Sequence, residues 1–152
     1  MLTAEWFSGD ADLTAIHDIR REVFIKEQGV SEADEMDGTD ISAIHLLVRD
    51  DGIPVATGRM LIEDETFMLW RIAVLKNHRG KKYGDFVVRL LIRKSFEMGG
   101  VEQHLHSQVH AKGFYEKLGF KTVTDEYTEA GIPHVGMVRV GDIGPECANA
   151  CN

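Results

Sequence analysis

Along this chain apolar residues alternate with polar ones, recur at helical spacing, and then alternate again, and the order of those patterns outlines a fold. Leu2 to Phe7 reads as a short strand, ended by Ser8-Gly9-Asp10, where serine and aspartate can cap a helix. Leu13, Ile16, Ile19 and Val23 follow at helical spacing, which predicts an amphipathic helix over residues 11–27. Gly29 and an acidic run end it. Ile44 to Arg49, IHLLVR, is a strand. Asp50-Asp51-Gly52 has the chemistry of a tight hairpin turn, and Ile53 to Ile62 is its partner strand. Phe67 to Leu75, FMLWRIAVL, is a further strand-like run after a turn at Glu63-Asp64-Glu65.

A helix over residues 84–98 carries Val88, Leu91, Ile92 and Ser95 on one face and stops at Gly99-Gly100. From Val101 to Val109 the chain alternates, with Leu105 on one side and Glu102, His104, His106 and Gln108 on the other. AKGFYEKL makes a short helix closed by Gly119. Phe120–Tyr127 and His134–Val140 are the last strands, joined by a Gly131-Ile132-Pro133 turn. The order β-α-β-β-β-α-β-α-β-β describes an α/β (α+β) fold, one mixed sheet flanked by helices. Residues 1–142 form a single domain on this reading, and 143–152 a short tail.

Composition changes this picture little. At 152 residues, with 43% apolar and 28% charged, the chain can bury a core as one domain. No apolar stretch is long enough to span a membrane, and MLTAEWFSGDAD lacks the basic and apolar regions of a signal peptide. A cytoplasmic protein without a membrane partner is therefore expected, and the net charge of −8 argues against nucleic acid as a partner. Cys147 and Cys151 in the terminal ECANACN are read as incidental.

Charge distribution changes it more. Glu27, Glu32, Asp34, Glu35, Asp37 and Asp40 crowd one segment, whereas Lys76, Arg79, Lys81, Lys82, Arg89, Arg93 and Lys94 crowd another around one acid, Asp85. The separation suggests an anionic and a cationic surface with different partners. The basic run holds Gly80 and Gly84 between an apolar strand and a helix. The first amides of a helix point outward with the positive end of its dipole, so this arrangement suits an anion such as a pyrophosphate.

VLKNHRGKKYGDFVVRLLI followed by AKGFYEKLGF resembles the acetyl-CoA signature of the GNAT superfamily of N-acetyltransferases. Arg79, Gly80 and Gly84 match the family's RGxGxG pattern, and Lys82 stands where its middle glycine is expected. IRREVFIKEQGV, LWRIAVLKNHR and FYEKLGF with AGIPHVGM extend the likeness to residues 3–140, and to the subgroup typified by YjcF and ElaA. The resemblance implies the GNAT fold, with a mostly antiparallel sheet. It implies acetyl-CoA as acyl donor and transfer to a primary amine of a small molecule or peptide; no metal is expected, because the chain has no HExxH motif or C-x-x-C pair. Backbone groups of Ile72, Ala73 and Val74 would hold the pantetheine arm. Arg79, Gly80, Lys81, Lys82, Tyr83 and Gly84 would hold the pyrophosphate, and Tyr115 would protonate the departing thiolate.

An ammonium group with a pKa of about 10.4 must lose a proton before it can attack a thioester. The oxyanion that results wants a backbone donor, which the Ile72–Val74 strand would supply. Close relatives often carry glutamate just before the arginine of the pre-loop strand, where this chain has Trp70. His106 and Glu22 are the candidate bases in its place, and a water chain would also serve. Arg20, Arg21, Glu22, Glu27 and Gln28 lie in the segment that in this fold helps wall the acceptor side. The histidines offer a rival reading, because His104 and His106 can project from one strand face toward a metal with His110 nearby. A second rival is a non-catalytic acyl-CoA-binding domain of the same fold. The assembly is left open, a homodimer included.

Overall fold

The computed structural model describes residues 1–143. Seven of its eight strands lie side by side in the order β1-β2-β3-β4-β5-β8-β6, with β7 paired to β8. The strands are β1 (Leu2–Ser8), β2 (Ile44–Asp50), β3 (Ile53–Glu63), β4 (Thr66–Val74), β5 (Glu102–Gln108), β6 (Lys121–Thr122), β7 (Tyr127–Glu129) and β8 (Ile132–Val140). Every pairing is antiparallel except β4 with β5. The helices are α1 (Thr14–Arg20), α2 (Glu32–Glu35), α3 (Tyr83–Glu97) and α4 (Lys112–Glu116).

Two helices cover opposite faces of the sheet. Val87, Val88, Leu91 and Ile92 of α3 pack with Leu46, Val48, Met60 and Leu69 in the larger core. Leu13, Ile16, Ile19 and Val23 form the smaller one on the other face, with Leu47 and Ala73. Coverage on both sides explains why β2 reads as an unbroken Leu46-Leu47-Val48 rather than an alternation. Hairpin loops at Asp51-Gly52 and Asp64-Glu65 both have positive φ at each residue, the twist that two-residue hairpins favour.

Three sequence expectations are corrected. The helix over 11–27 is α-helical only to Arg20 and continues as a π-helix from Arg21 to Glu27. Phe120–Tyr127 is not one strand: it yields the short β6 and then β7, which forms a hairpin with β8 through Ala130 and Gly131, both at positive φ. Ile143, assigned to the tail, is buried and belongs to the larger core. Cys147 and Cys151 lie outside the described residues. No described helix is long and apolar enough to cross a membrane.

Candidate active site

β4 and β5 run parallel but pair at only two positions, Phe67 with Gln103 and Met68 with His104. Past them the strands part, while β5 stays paired along its whole length with β8 on its other edge. A cleft of about 390 Å³ lies in the gap. Trp70 and Ile72 line it from β4, and His106 and Gln108 from β5. Tyr115 of α4 reaches it from below, and Glu129 and His134 of the β7–β8 hairpin close the far side. Gln28 joins the wall just past the π-helix, where it accepts a 2.8 Å hydrogen bond from Gln108.

At the end of β4 the chain turns through Lys76–His78 into the basic loop. Gly80 sits at φ 83°, and Lys82, the residue before α3, at φ 66°. No described group accepts a hydrogen bond from the backbone amides of Gly80 to Asp85; the first bonded amide is that of Phe86, to Lys82. Those amides border a hollow of about 250 Å³ lined by Val74, Gly80, Lys82, Gly84 and Phe114. A β-carbon on Gly84 would project into it, 3.6 Å from both Phe114 and Val74. Lys76, Lys81 and Lys82 form no ion pair among the described residues. The donor set and the space fit a pyrophosphate. Lys82 lacks glycine's freedom, and a side-chain residue in the left-handed region costs about 1–2 kcal/mol.

Arg79 does something the sequence did not suggest. Its guanidinium donates to both carboxylate oxygens of Glu27, at 2.6 and 2.7 Å, and to the Val74 carbonyl at 3.1 Å. The arginine therefore braces the loop against the π-helix and is not a free cation. The pair also holds the Glu27 carboxyl below its usual pKa.

The expected anionic surface is reduced in the same way. Glu35, Asp37 and Asp40 are met by Arg20, Arg59 and Arg71, three charges against three. Arg20 and Arg59 are each 1% exposed. Burial alone would raise the Asp40 pKa, but hydrogen bonds from Arg20 and Arg59 hold it far below the usual range. A carboxylate removed from water survives only with such partners, so Glu35 and Asp40 are drawn into an internal network that reaches the surface at Asp37, while Glu32 stays exposed. Asp34 remains exposed at the cleft.

The candidate acid and bases are separated by the fold. Tyr115 lines the cleft, its hydroxyl has no hydrogen-bond partner among the described residues, and burial pushes its pKa above the usual range. His106 lies 5.9 Å from Trp70, ring centre to ring centre, and hydrogen-bonds through Nδ1 to the Tyr127 hydroxyl. Burial lowers its pKa. Glu22 does not reach this cleft. Val23 is the buried neighbour on its helix, so Glu22 faces outward and accepts from Lys26 at 2.7 Å. Arg21 likewise points out, 3.5 Å from Glu32. Sequence reading missed Tyr127, Glu129 and His134, which the short β7–β8 hairpin delivers. Among the described residues, no three His, Cys, Asp or Glu side chains converge as a metal would require.

The model of the acetyltransferase (GNAT) domain family matches residues 12–140. YyaT of Bacillus subtilis (strain 168) is 44% identical over 133 residues, covering 86% of this chain and 90% of YyaT. YjcF of the same organism is 35% identical over 122 residues, covering 80% and 87%. ElaA of Escherichia coli (strain K12) is 33% identical over 135 residues, covering 85% and 88%. The crystal structure of Escherichia coli ElaA superposes with a TM-score of 0.83 over 91% of this chain and 99% of that one, at 28% identity. A parted β4–β5 pair that leads into a loop of free amides, and matches over most of the chain, place the protein in the GNAT acetyltransferase family, with YjcF and ElaA as relatives.

Proposed function

We propose that the protein transfers an acetyl group from acetyl-CoA to a primary amine of a small molecule or peptide, by direct attack of the amine in the β4–β5 cleft. The observation that carries this is geometric: Tyr115 and His106 line one cleft where β4 and β5 part, beside a loop of free amides. Tyr115 is pushed up and keeps its proton at neutral pH, whereas His106 is pushed down and stays neutral. Opposed shifts of this kind divide the work of acid and base. Acetyl-CoA, when bound, supplies the acetyl group as an activated thioester. Ile72, Ala73 and Val74, beyond the last β4–β5 pair, would hold the pantetheine arm with their backbone groups. The free amides of Gly80, Lys81, Lys82, Tyr83 and Gly84 would bind the pyrophosphate, with Lys81 and Lys82 adding charge. Arg79 acts through the loop it braces. His106 accepts a proton from the amine, Tyr127 orients the ring, and Tyr115 gives a proton to the leaving sulfur. The rival metal reading finds no supporting cluster among the described residues.

Binding is tested first by melting. Acetyl-CoA and CoA raise the Tm, because a ligand of the folded state stabilises it by mass action, while ATP and NAD at matched ionic strength do much less. In Lys82→Gly the shift is retained or enlarged, since the left-handed strain at φ 66° is relieved and other cations remain. Equal shifts with all four ligands would reduce the loop to a general anion patch. A large loss in Lys82→Gly would show that the lysine itself grips the phosphates.

A further inference from the structure

Strand β4 contains an irregularity directly at the cleft. Thr57 pairs with Ala73 and Arg59 with Trp70, so Gly58 alone faces Arg71 and Ile72. This is a β-bulge, and its first residue, Arg71, stands at φ 55°, where glycine is the comfortable choice. Because of the extra residue, Ile72 and Val74 pack on the same face as Phe67 and Leu69, while Ala73 turns to the other core. An unbulged strand would exchange those faces and with them the direction of every amide after Trp70.

An arginine in that conformation needs something to hold it. Arg71 Nε lies 3.0 Å from Glu35 Oε2, in charge contact but not aligned to donate. Its Nη2 lies 3.2 Å from Asp37 Oδ2 and 3.1 Å from the Asp34 carbonyl. Glu35 is 1% exposed and is gripped in turn by Arg20. Asp37 is shared with Arg59, which comes from the strand facing the bulge.

We propose that Glu35 and Asp37 are positioning residues. Acting through Arg71, they fix the β4 bulge and so decide which backbone groups of Ile72 to Val74 face the gap. The acidic segment thus shapes the donor side of the site. The inference rests on the reading that this gap takes the pantetheine arm, and one of its two measurements needs no ligand.

The test compares wild type, Arg71→Ala, Arg71→Gly and Glu35→Gln. Amide hydrogen exchange is followed over Arg71 to Leu75 in the ligand-free protein, and CoA is titrated by calorimetry. Alanine and glycine both remove the guanidinium, but only glycine adopts φ 55° without penalty. Arg71→Ala and Glu35→Gln are expected to exchange on the order of tenfold faster over this stretch and to bind CoA about tenfold more weakly. Arg71→Gly stays within about threefold of wild type on both counts. Equal damage in Arg71→Gly and Arg71→Ala would overturn the proposal, because the guanidinium itself would then be what the site needs. Unchanged exchange in Arg71→Ala would overturn it as well. Should Glu35→Gln fail to fold, the two Arg71 variants still decide. The expected exchange order together with no CoA binding by wild type would support the bulge claim and remove the cofactor reading.

Discussion

Tyr115→Phe lowers kcat by a factor on the order of 10²–10⁴ and leaves CoA affinity and Tm nearly unchanged. The ring sits among Phe114 and Phe120, 5.0 and 5.9 Å away between centres, so phenylalanine keeps the packing. Only the hydroxyl is lost, and no described residue bonds to it. A factor of 10³ corresponds to about 4 kcal/mol of transition-state stabilisation. That is the scale of a proton delivered to a leaving group in the transition state, and far more than one unbonded hydroxyl contributes to stability. Unchanged turnover would make Tyr115 a packing residue of α4.

His106→Gln is expected to lower kcat/KM by about 10²-fold near neutral pH and to remove a limb from the pH profile. Burial is the largest cause of the lowered His106 pKa, so the neutral ring is favoured in the fold and the limb's midpoint lies below 6.5. The rate rises as pH increases through that midpoint and levels off above it. The same shift sets the sign for stability: the contribution is present above the unfolded value and is lost as pH falls, because protonation then favours the unfolded chain. Tyr127→Phe removes the hydroxyl on Nδ1 and should move the midpoint while retaining the limb. A wild-type profile with no limb below neutrality would exclude His106 as base.

Much of the fold was legible because local chemistry and burial agree. The period of α3, the Asp51-Gly52 turn and the alternation of β5 each satisfy one rule, and the structure satisfies it in the same way. The loop was legible because its glycines and its helix start are adjacent in sequence. What stayed hidden depends on distant pairings. Nothing near Glu27 announces Arg79, 52 residues on. A run of acids looks like solvated surface until Arg20, Arg59 and Arg71 arrive from three other elements. Tyr127 was read within a longer strand, and its contact with His106 exists only because β8 joins β7 to β5. The bulge at Arg71 had one weak signal, Gly58 inside an apolar strand, where a β-carbon would come within 2.8 Å of Val87 and Leu91.

The central claim is that this cleft moves an acetyl group onto nitrogen. It is tested most directly by supplying acetyl-CoA with a panel of small cationic amines, neutral amines and peptide N-termini. Free CoA thiol is then measured together with the mass of each amine. The account predicts, for at least one amine, one thiol released per acetylated product, with both signals lost together in Tyr115→Phe. Firm CoA binding without thiol release on any amine would contradict it and leave a domain that binds acyl-CoA and does not react it.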